Sequence, residues 1–462
     1  MNACVNIHPL PDVWFMQPYT GGILMIATTV HDVFTSEWVR THITNRIHAL
    51  MILGTVIPWE RIETRLARYY HATKGRKGTS IRMMVALLFA AKWYGWSDRQ
   101  VVEHAKENRY VQYFCHIPDE GLQTFLHHTS LVKFRQRVGE TGMAILEEEV
   151  FTRFRRAGVI EPDMALVDSS VLPNDIIYPN DVHLLVKAFK KMKQCAKLHT
   201  LPVWWDEAEV KQLWRAFGLV KGADRAVWLH IFYDLWVPAL IQFQNVVESL
   251  KTTPKRRHKA QKLVDLLWLL EAQTEQKLNG EVHIPHRIVS LDEPEARPIK
   301  KGKVHPACEF GSTVQMSFNR QGFMVTVENF IGSPNDKTLF PETLAKFTAR
   351  MRETPDAVVT DLGSRSAANF TAAKEIPHVF LGRTADVAEA QQERCCKARS
   401  ATEGFIAVAK HLHGFGRSLY HGFSGDRIWS LLCQAVSNLK KFIQLWTAEL
   451  VSETSLEDLG LL

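Results

Sequence analysis

The chain has few cysteines for its length, and their arrangement excludes two kinds of site. Seven cysteines occur among 462 residues, and no two of them form a Cys-x-x-Cys pair. An odd number of scattered cysteines in a long chain is typical of reduced thiols. We therefore expect neither a disulfide framework nor a zinc site. His305 with Cys308, and His411 with His413, each lack the second pair that a zinc site needs.

Long apolar runs and phosphate-binding glycine loops are also missing. The longest apolar stretches near the front, residues 21–30 and 49–59, are shorter than the ~18–20 residues that span a bilayer. No basic segment precedes the first stretch, which argues against a signal peptide. No Walker-type loop is present, so no ATP-dependent step is implied. We expect a cytoplasmic protein without a membrane partner.

The residues that are present predict a folded, mildly basic protein. Hydrophobic residues make up 46% of the chain, which is enough for packed cores. The formal net charge is +7 and the isoelectric point is near 8.9. This charge favours a polyanionic partner but is equally compatible with an ordinary basic protein.

Three carboxylates that are far apart in sequence lie in settings that suit one metal site. Asp168 and Asp361 each follow an apolar run with strand character, and Glu403 lies in a basic helical stretch. An acid that ends a strand lies at the carboxyl edge of a sheet, where open α/β sheets bind ligands. Hard oxygen ligands suit Mg²⁺. A lone acid of this kind is more often a turn residue, and we assign Asp175 and Asp181 to that class.

The helical stretch around Glu403 places cations on the same face as the acid. At about 100° per residue, Arg399, Glu403 and Lys410 lie within about 60° of one another. Glu403 would then bind the metal, and Arg399 and Lys410 would contact DNA phosphates on either side of it. The alternative is a surface ion pair between Arg399 and Glu403, which would contribute little to stability.

The pattern of the chain predicts a helical region, then a mixed α/β region. Residues 47–158 have a helical pattern, with Ser97 as one N-cap and Thr129 or Ser130 as another. From residue 164 we predict strands at 164–171, 312–318, 323–330, 357–361 and 378–381, and a helix capped by Asn335 or Asp336. Strands that alternate with helices after a hairpin indicate a mixed α/β domain.

Two basic helical segments are candidate DNA contacts, each with a plainer alternative. The helix after Thr129 carries Lys133, Arg135 and Arg137, which is typical of helix-turn-helix readers but also of a solvated bundle. Residues 183–283 form a helical insertion with interleaved tryptophans and a basic run at 255–259. That insertion would follow a phosphate backbone, or it is a helical hairpin with a solvated basic face.

Several motifs, in order, resemble those of bacterial insertion-sequence transposases of the DDE class, most of all the insertion sequence five family. The resemblance runs from about residue 57 to about residue 445, and Arg399, Glu403 and Lys410 have the spacing of the family's Arg-Glu-Lys signature. The other motifs are residues 57–60, 95–103, 107–115, 130–140, 167–171, 178–181, 289–303 and 309–311.

The resemblance implies a mainly α N-terminal DNA-binding region and a mixed α/β RNase H-like catalytic domain with a helical insertion. It implies an extension at 1–45, a DNA-binding domain at 46–160, a catalytic domain at 161–182 and 284–450, and the insertion at 183–283. Asp168, Asp361 and Glu403 would hold two Mg²⁺ ions, with Mn²⁺ as a substitute. DNA contacts would come from Arg399, Lys410, Arg417, Lys133, Arg135 and Arg137.

The implied activity is cleavage and joining of element ends by phosphodiester hydrolysis and strand transfer. The implied partners are double-stranded DNA, as terminal inverted repeats and as target, and further copies of the chain in a homodimer or larger assembly. The implied location is the prokaryotic cytoplasm, in association with the nucleoid. Leu362, Ser364, Ser366 and Cys396 depart from the family pattern, which usually has an arginine and an aromatic residue around the glycine at position 363 and, in related families, a tyrosine at position 396. Because of these departures, a catalytically impaired, transposase-derived DNA-binding protein is one alternative function. A Mg²⁺-dependent nuclease is another.

Overall fold

The fold is known from a computed structural model, which describes residues 36–71, 78–119, 122, 125–202, 204–220, 224–300 and 308–462. Most of the predicted N-terminal extension, together with Lys301 to Lys303 of the motif at 289–303 and with His305, lies outside the described residues. In the described residues, seven α-helices precede the first strand: α1 (Ser36–His42), α2 (Ala49–Val56), α3 (Trp59–Leu66), α4 (Ile81–Tyr94), α5 (Asp98–Glu107), α6 (Arg109–Cys115) and α7 (Thr129–Arg156).

Local sequence signals set the limits of these helices. Ser97 caps α5 as predicted, in a capping box with Gln100. The residue that precedes α7 is His128, so neither Thr129 nor Ser130 is its N-cap. Within α7, Gly139 has a φ of 59°, outside the helical region, and divides it into two helical segments. The basic segment with Lys133 therefore ends at a glycine kink, and a second helical segment follows.

In the part of the chain that the structure describes, six strands form a mixed sheet at the centre of the α/β region. β1 pairs with β3 in antiparallel fashion and with β5 in parallel fashion, and β6 continues the sheet beyond β5. β3 also pairs with β4, through the predicted hairpin, and with the short β2, which the sequence does not predict. The strands are β1 (Met164–Pro173), β2 (Arg297–Ile299), β3 (Glu309–Phe318), β4 (Met324–Ile331), β5 (Ala357–Thr360) and β6 (His378–Leu381).

Helices cover both faces of the sheet. On one face, Phe340 of α12 packs in the same core as Val167 and Val358. On the other face, Ala398 of α14 packs in the same core as Leu166. The helices after β4 are α12 (Asp336–Met351), α13 (Ala367–Ala372), α14 (Glu389–Leu412), α15 (Gly422–Thr447) and α16 (Glu453–Leu459). The mixed α/β class is therefore confirmed.

The predicted insertion between β1 and β2 is helical and has its own core. It contains α8 (Asp181–Leu198), α9 (Glu207–Phe217), α10 (Asp224–Glu248) and α11 (Pro254–Leu278). Phe232, Trp236 and Phe243 of α10 are fully buried in this core. By length and composition, α10 is apolar enough to cross a membrane, but its buried face packs in the insertion.

Candidate active site

The sheet register brings Asp168 and Asp361 to the same level. β1 and β5 are parallel, and the offset of 193 residues that separates Asp168 from Asp361 also separates the paired residues Met164 and Ala357. The two acids therefore lie just beyond the last paired residues of neighbouring strands. β1 continues past Asp168, as the predicted strand 164–171 does, because its antiparallel pairing with β3 runs to Pro173. Asp168 is therefore not a strand-end residue, which differs from the setting expected for it. What ends at this level is β5.

The Asp168 carboxylate lies in a largely dry setting on the α14 face of the sheet. Its side chain is 16% exposed, and Oδ1 accepts a hydrogen bond of 2.7 Å from the Ser169 backbone N–H. Burial raises the pKa of Asp168 to about 6, and the neighbouring carboxylates Asp361 and Asp336 act in the same direction. Arg399 and the Ser169 N–H oppose this rise. A group of carboxylates that destabilises its own charge is a setting that a bound cation would relieve.

Arg399 connects Asp168 with Glu403. Its Nη1 is 3.5 Å from Asp168 Oδ2, and its Nη2 is 3.1 Å from Glu403 Oε1. The predicted ion pair with Glu403 is therefore present, and the same guanidinium reaches the first aspartate. Nη1 is buried and has no hydrogen-bond partner within the described part of the chain, and the Glu403 side chain is 69% exposed. Arg399 thus lies between two of the predicted metal ligands.

Asp361 has a local structural role as well as its place in the site. Its Oδ1 accepts a hydrogen bond of 2.9 Å from the backbone N–H of Gly363, which caps the short 3₁₀ turn Leu362–Ser364. A Cβ on Gly363 would lie 3.0 Å from that oxygen and 3.3 Å from Asp336 Oδ2. The missing side chain of Gly363 therefore lets two carboxylates approach one point.

Asp336 is the residue of this site that sequence reasoning missed. It lies in the first turn of α12, and Asn335 provides the N-cap by accepting the N–H of Lys337. The Asp336 carboxylate also accepts a hydrogen bond of 2.6 Å from the Ser169 hydroxyl. The sequence indicates only a helix start for the Asn-Asp pair, because the contact with β1 spans 167 residues of sequence.

The donor set suits a hard divalent cation, although the carboxylates do not form a finished metal site. Asp168, Asp361 and Glu403 offer only oxygen donors, as Mg²⁺ prefers. Among the residues that the structure describes, no group of three potential ligands is arranged to hold a metal ion. Glu403 is directed toward Arg399, and a shift of this side chain would be needed to bring it to the aspartates.

Two predicted DNA contacts are engaged with acids around the site. Lys410 lies 3.3 Å from Glu309 of β3, and both side chains are mostly buried. Arg417 lies 3.1 Å from Asp175, and both side chains are largely exposed. Arg417 is therefore the more accessible of the two to a phosphate.

The basic helix α7 presents only part of its predicted surface. Lys133 and Arg137 are exposed, whereas Arg135 is 7% exposed. Arg135 donates two hydrogen bonds to Asp98, of 2.9 and 2.5 Å, and its guanidinium lies 4.1 Å from the Tyr420 ring centroid. The assignment of Arg135 to DNA stays a prediction, and the structure gives this side chain a partner inside the protein. Its side chain faces inward, and the charge is paired within the protein.

The residues that depart from the family pattern have distinct surroundings. Leu362 is 54% exposed beside Asp361, whereas Ser364 is buried and its carbonyl accepts a hydrogen bond from Asn369. Ser366 is the N-cap of α13. An aromatic side chain at position 364 would have to displace packed neighbours. Among these positions, Leu362 offers an open place for a group that contacts DNA.

Comparison with known proteins assigns the chain to a class. Residues 39–137, which run from α1 to the Arg137 end of the basic segment, match the family model described as "Transposase domain (DUF772)". The chain is also 31% identical, over 165 residues, to the "Uncharacterized protein ORF8 in nfe locus" of Rhizobium meliloti. The matched region is 34% of this chain and 77% of that relative. No solved structure gives a significant match.

These similarities define a transposase family. The chain belongs to the same family as the Rhizobium meliloti protein, and its N-terminal helices are similar to the transposase-domain model.

Proposed function

We propose that the chain is a DNA transposase of the DDE type, related to the insertion sequence five family, that cleaves and joins the ends of a mobile element. The observation that carries this proposal is the shared level of Asp168 and Asp361 on parallel strands, with Arg399 and Glu403 of α14 beside them. The strand order β4-β3-β1-β5-β6 and its directions support an RNase H-like core.

Asp168 and Asp361, joined by Glu403, would hold two Mg²⁺ ions, or Mn²⁺ in their place. When bound, such ions supply an activated water and stabilise the leaving 3′-oxygen. The Ser169 N–H holds the Asp168 carboxylate in position. Release of Glu403 from Arg399 would free that guanidinium to donate to a DNA phosphate. Two element ends must be processed together, so we expect a dimer or larger assembly on DNA.

Neutralising each acid in turn tests the proposal. Asp168→Asn, Asp361→Asn and Glu403→Gln should each abolish Mg²⁺-dependent nicking and joining of DNA from the flanks of the coding sequence. DNA binding and folding should be retained, because each change is nearly isosteric. Glu342→Gln is the matched control, since this exposed acid of α12 pairs with Lys346 and neither residue is a predicted metal ligand or DNA contact. Cleavage by Asp168→Asn at the wild-type rate would contradict the proposal.

A second candidate is a transposase-derived DNA-binding protein with impaired catalysis. The exposed Leu362, where relatives are expected to carry an arginine, favours it because an aliphatic side chain offers a phosphate no hydrogen bond. Leu362→Arg should increase joining more than nicking if this position limits the reaction. If neither the wild type nor Leu362→Arg nicks DNA although both bind it tightly, the second candidate is favoured. Nicking without any joining of a pre-cut end would favour a nuclease.

A further inference from the structure

We propose that Asp336 is a fourth carboxylate of the active site, that Ser169 positions it, and that it contributes to binding the divalent cations. This inference rests on the proposed function. The three acids that sequence reasoning selected lie in β1, directly after β5, and in α14. Asp336 comes from α12, which packs on the opposite face of the sheet from α14. The site would therefore be enclosed by acids from both layers.

The first support is the contact between Ser169 and Asp336. Successive residues of a strand point to opposite faces, so Ser169 faces α12 while Asp168 faces α14. The Ser169 hydroxyl donates to Asp336 Oδ1 at 2.6 Å, and its backbone N–H donates to Asp168 Oδ1 at 2.7 Å. One residue thus fixes two carboxylates, one on each side of β1.

The second support is the approach of Asp336 to Asp361. Asp336 Oδ2 and Asp361 Oδ1 lie 3.3 and 3.0 Å from the position that a Cβ of Gly363 would occupy. A negative charge at the start of α12 is favourable by itself, but Asn335 already caps the helix. Capping does not require the carboxylate to lie near another acid, and such proximity is unfavourable unless a cation is shared.

The third support is a buried amide on the same side of the sheet. Gln315 of β3 is the cross-strand partner of Ser169, so the two side chains share a face. Gln315 is 1% exposed, and neither its Oε1 nor its Nε2 has a hydrogen-bond partner among the residues that the structure describes. A buried amide without partners is costly. The waters that a bound Mg²⁺ usually keeps would supply those partners.

Binding of Mn²⁺ to the full-length protein without DNA, measured by electron paramagnetic resonance and calorimetry, tests this inference apart from activity. Asp336→Asn should lower Mn²⁺ affinity about tenfold or remove one ion, and Ser169→Ala should lower it by a smaller factor. The matched control is Glu342→Gln, which removes an exposed charge from the same helix, where Glu342 pairs with Lys346. The control should bind Mn²⁺ as the wild type does.

The outcomes separate this inference from the proposed function. If Asp168→Asn loses Mn²⁺ but Asp336→Asn and Ser169→Ala bind it as the wild type does, the role of Asp336 is wrong and the proposed site stands. If Asp168→Asn also binds as the wild type does, or the wild type binds none, the proposed function fails as well. Should Asp336→Asn not fold, Ser169→Ala decides, because it leaves every charge in place.

Discussion

The N-terminal helices and the insertion are both helical, but they bury their apolar surfaces in different places. Phe154 of α7 stacks on Phe442 of α15, with ring centroids 4.8 Å apart, and also contacts Phe323 at the start of β4. These residues belong to one continuous core that also contains Val358 of β5. The insertion instead closes its core within residues 182–291.

Ion pairs follow the same division. Arg350 of α12 donates two hydrogen bonds of 2.7 Å to Glu147 of α7, which is 1% exposed. Within the insertion, Lys193 of α8 pairs with Glu207 of α9 at 2.5 Å. The N-terminal region is therefore built into the sheet region, and the insertion is attached to it as a unit. Helical composition alone does not separate these two arrangements.

Isolated fragments should show the largest difference between the regions. We expect residues 46–160 alone to lack a cooperative thermal transition, because their core would be exposed where β4, β5 and α15 are removed. Residues 180–292 alone should unfold cooperatively, because their core is complete. Circular dichroism and proton NMR of both fragments measure this. A cooperative transition in the 46–160 fragment would show that the shared core is dispensable.

Matched phenylalanine truncations in the full chain should give the next largest effect. Phe154 and Phe232 are 1% and 0% exposed. Each change to alanine should cost about 3–5 kcal/mol of unfolding free energy in its own core. Phe154→Ala should lower the unfolding temperature of the N-terminal and sheet regions, and the loss of DNA nicking activity on heating should shift by the same amount. Phe232→Ala should lower the temperature of a separate transition, in which the insertion unfolds. Equal loss of nicking activity on heating in both variants would contradict the division.

Sequence reasoning found the parts of the site that local patterns encode. Apolar runs before Asp168 and Asp361, and the helical spacing of Arg399 and Glu403, identify side chains that the structure brings together. Every strand except β2, the hairpin and the cap at Ser97 follow from the same local signals. The domain boundaries and the metal remain predictions.

Contacts between distant residues could not be predicted in this way. The burial of Arg135 depends on Asp98, 37 residues away, and on Tyr420. A basic helix looks the same in sequence whether a cation faces solvent or a buried acid. Likewise, Asp336 has the sequence context of a helix start, and only the fold brings it to Ser169.

Lys92 of α4 should make the stability of the combined N-terminal and sheet regions depend on pH. The stability of the insertion should lack this dependence. Its Nζ lies over the ring of Trp429 in α15 and over the ring of Tyr420, which lies just before that helix. Burial lowers the pKa of Lys92 from 10.5 to about 7, and the charge of Arg135 also lowers it. Cys433 and Asp98 act in the opposite direction and raise the pKa. Between these pKa values the unfolded chain binds the extra proton, so stability should rise with pH, by at most about 1.4 kcal/mol per unit.

Urea unfolding of the wild type and Lys92→Met between pH 6 and 9 measures this slope. The wild type should gain stability relative to the variant above pH 7, and the two curves should run parallel below it. Lys255→Met is the control in the insertion, because this lysine is exposed at the start of α11. Parallel curves for wild type and Lys92→Met over the whole range would show that Lys92 is hydrated and titrates normally.

Paired removal of exposed cations should give the smallest effect and should separate two modes of DNA binding. Lys133→Ala with Arg137→Ala alters the part of α7 that the transposase-domain match covers, and Lys255→Ala with Arg256→Ala alters α11. For every cation that no longer neutralises a phosphate, the slope of log K against log salt should flatten by about 0.9.

If α7 reads the element end, its variant should lose preference for that end over random DNA. The α11 variant should bind both DNAs more weakly by a similar factor, because contacts to phosphates carry no sequence information. Arg135→Ala should behave differently from both, since removing the partner of the partly buried Asp98 lowers stability before it lowers affinity. A reversed pattern, with preference abolished only in the α11 variant, would assign recognition to the insertion and leave the N-terminal helices as part of the catalytic scaffold.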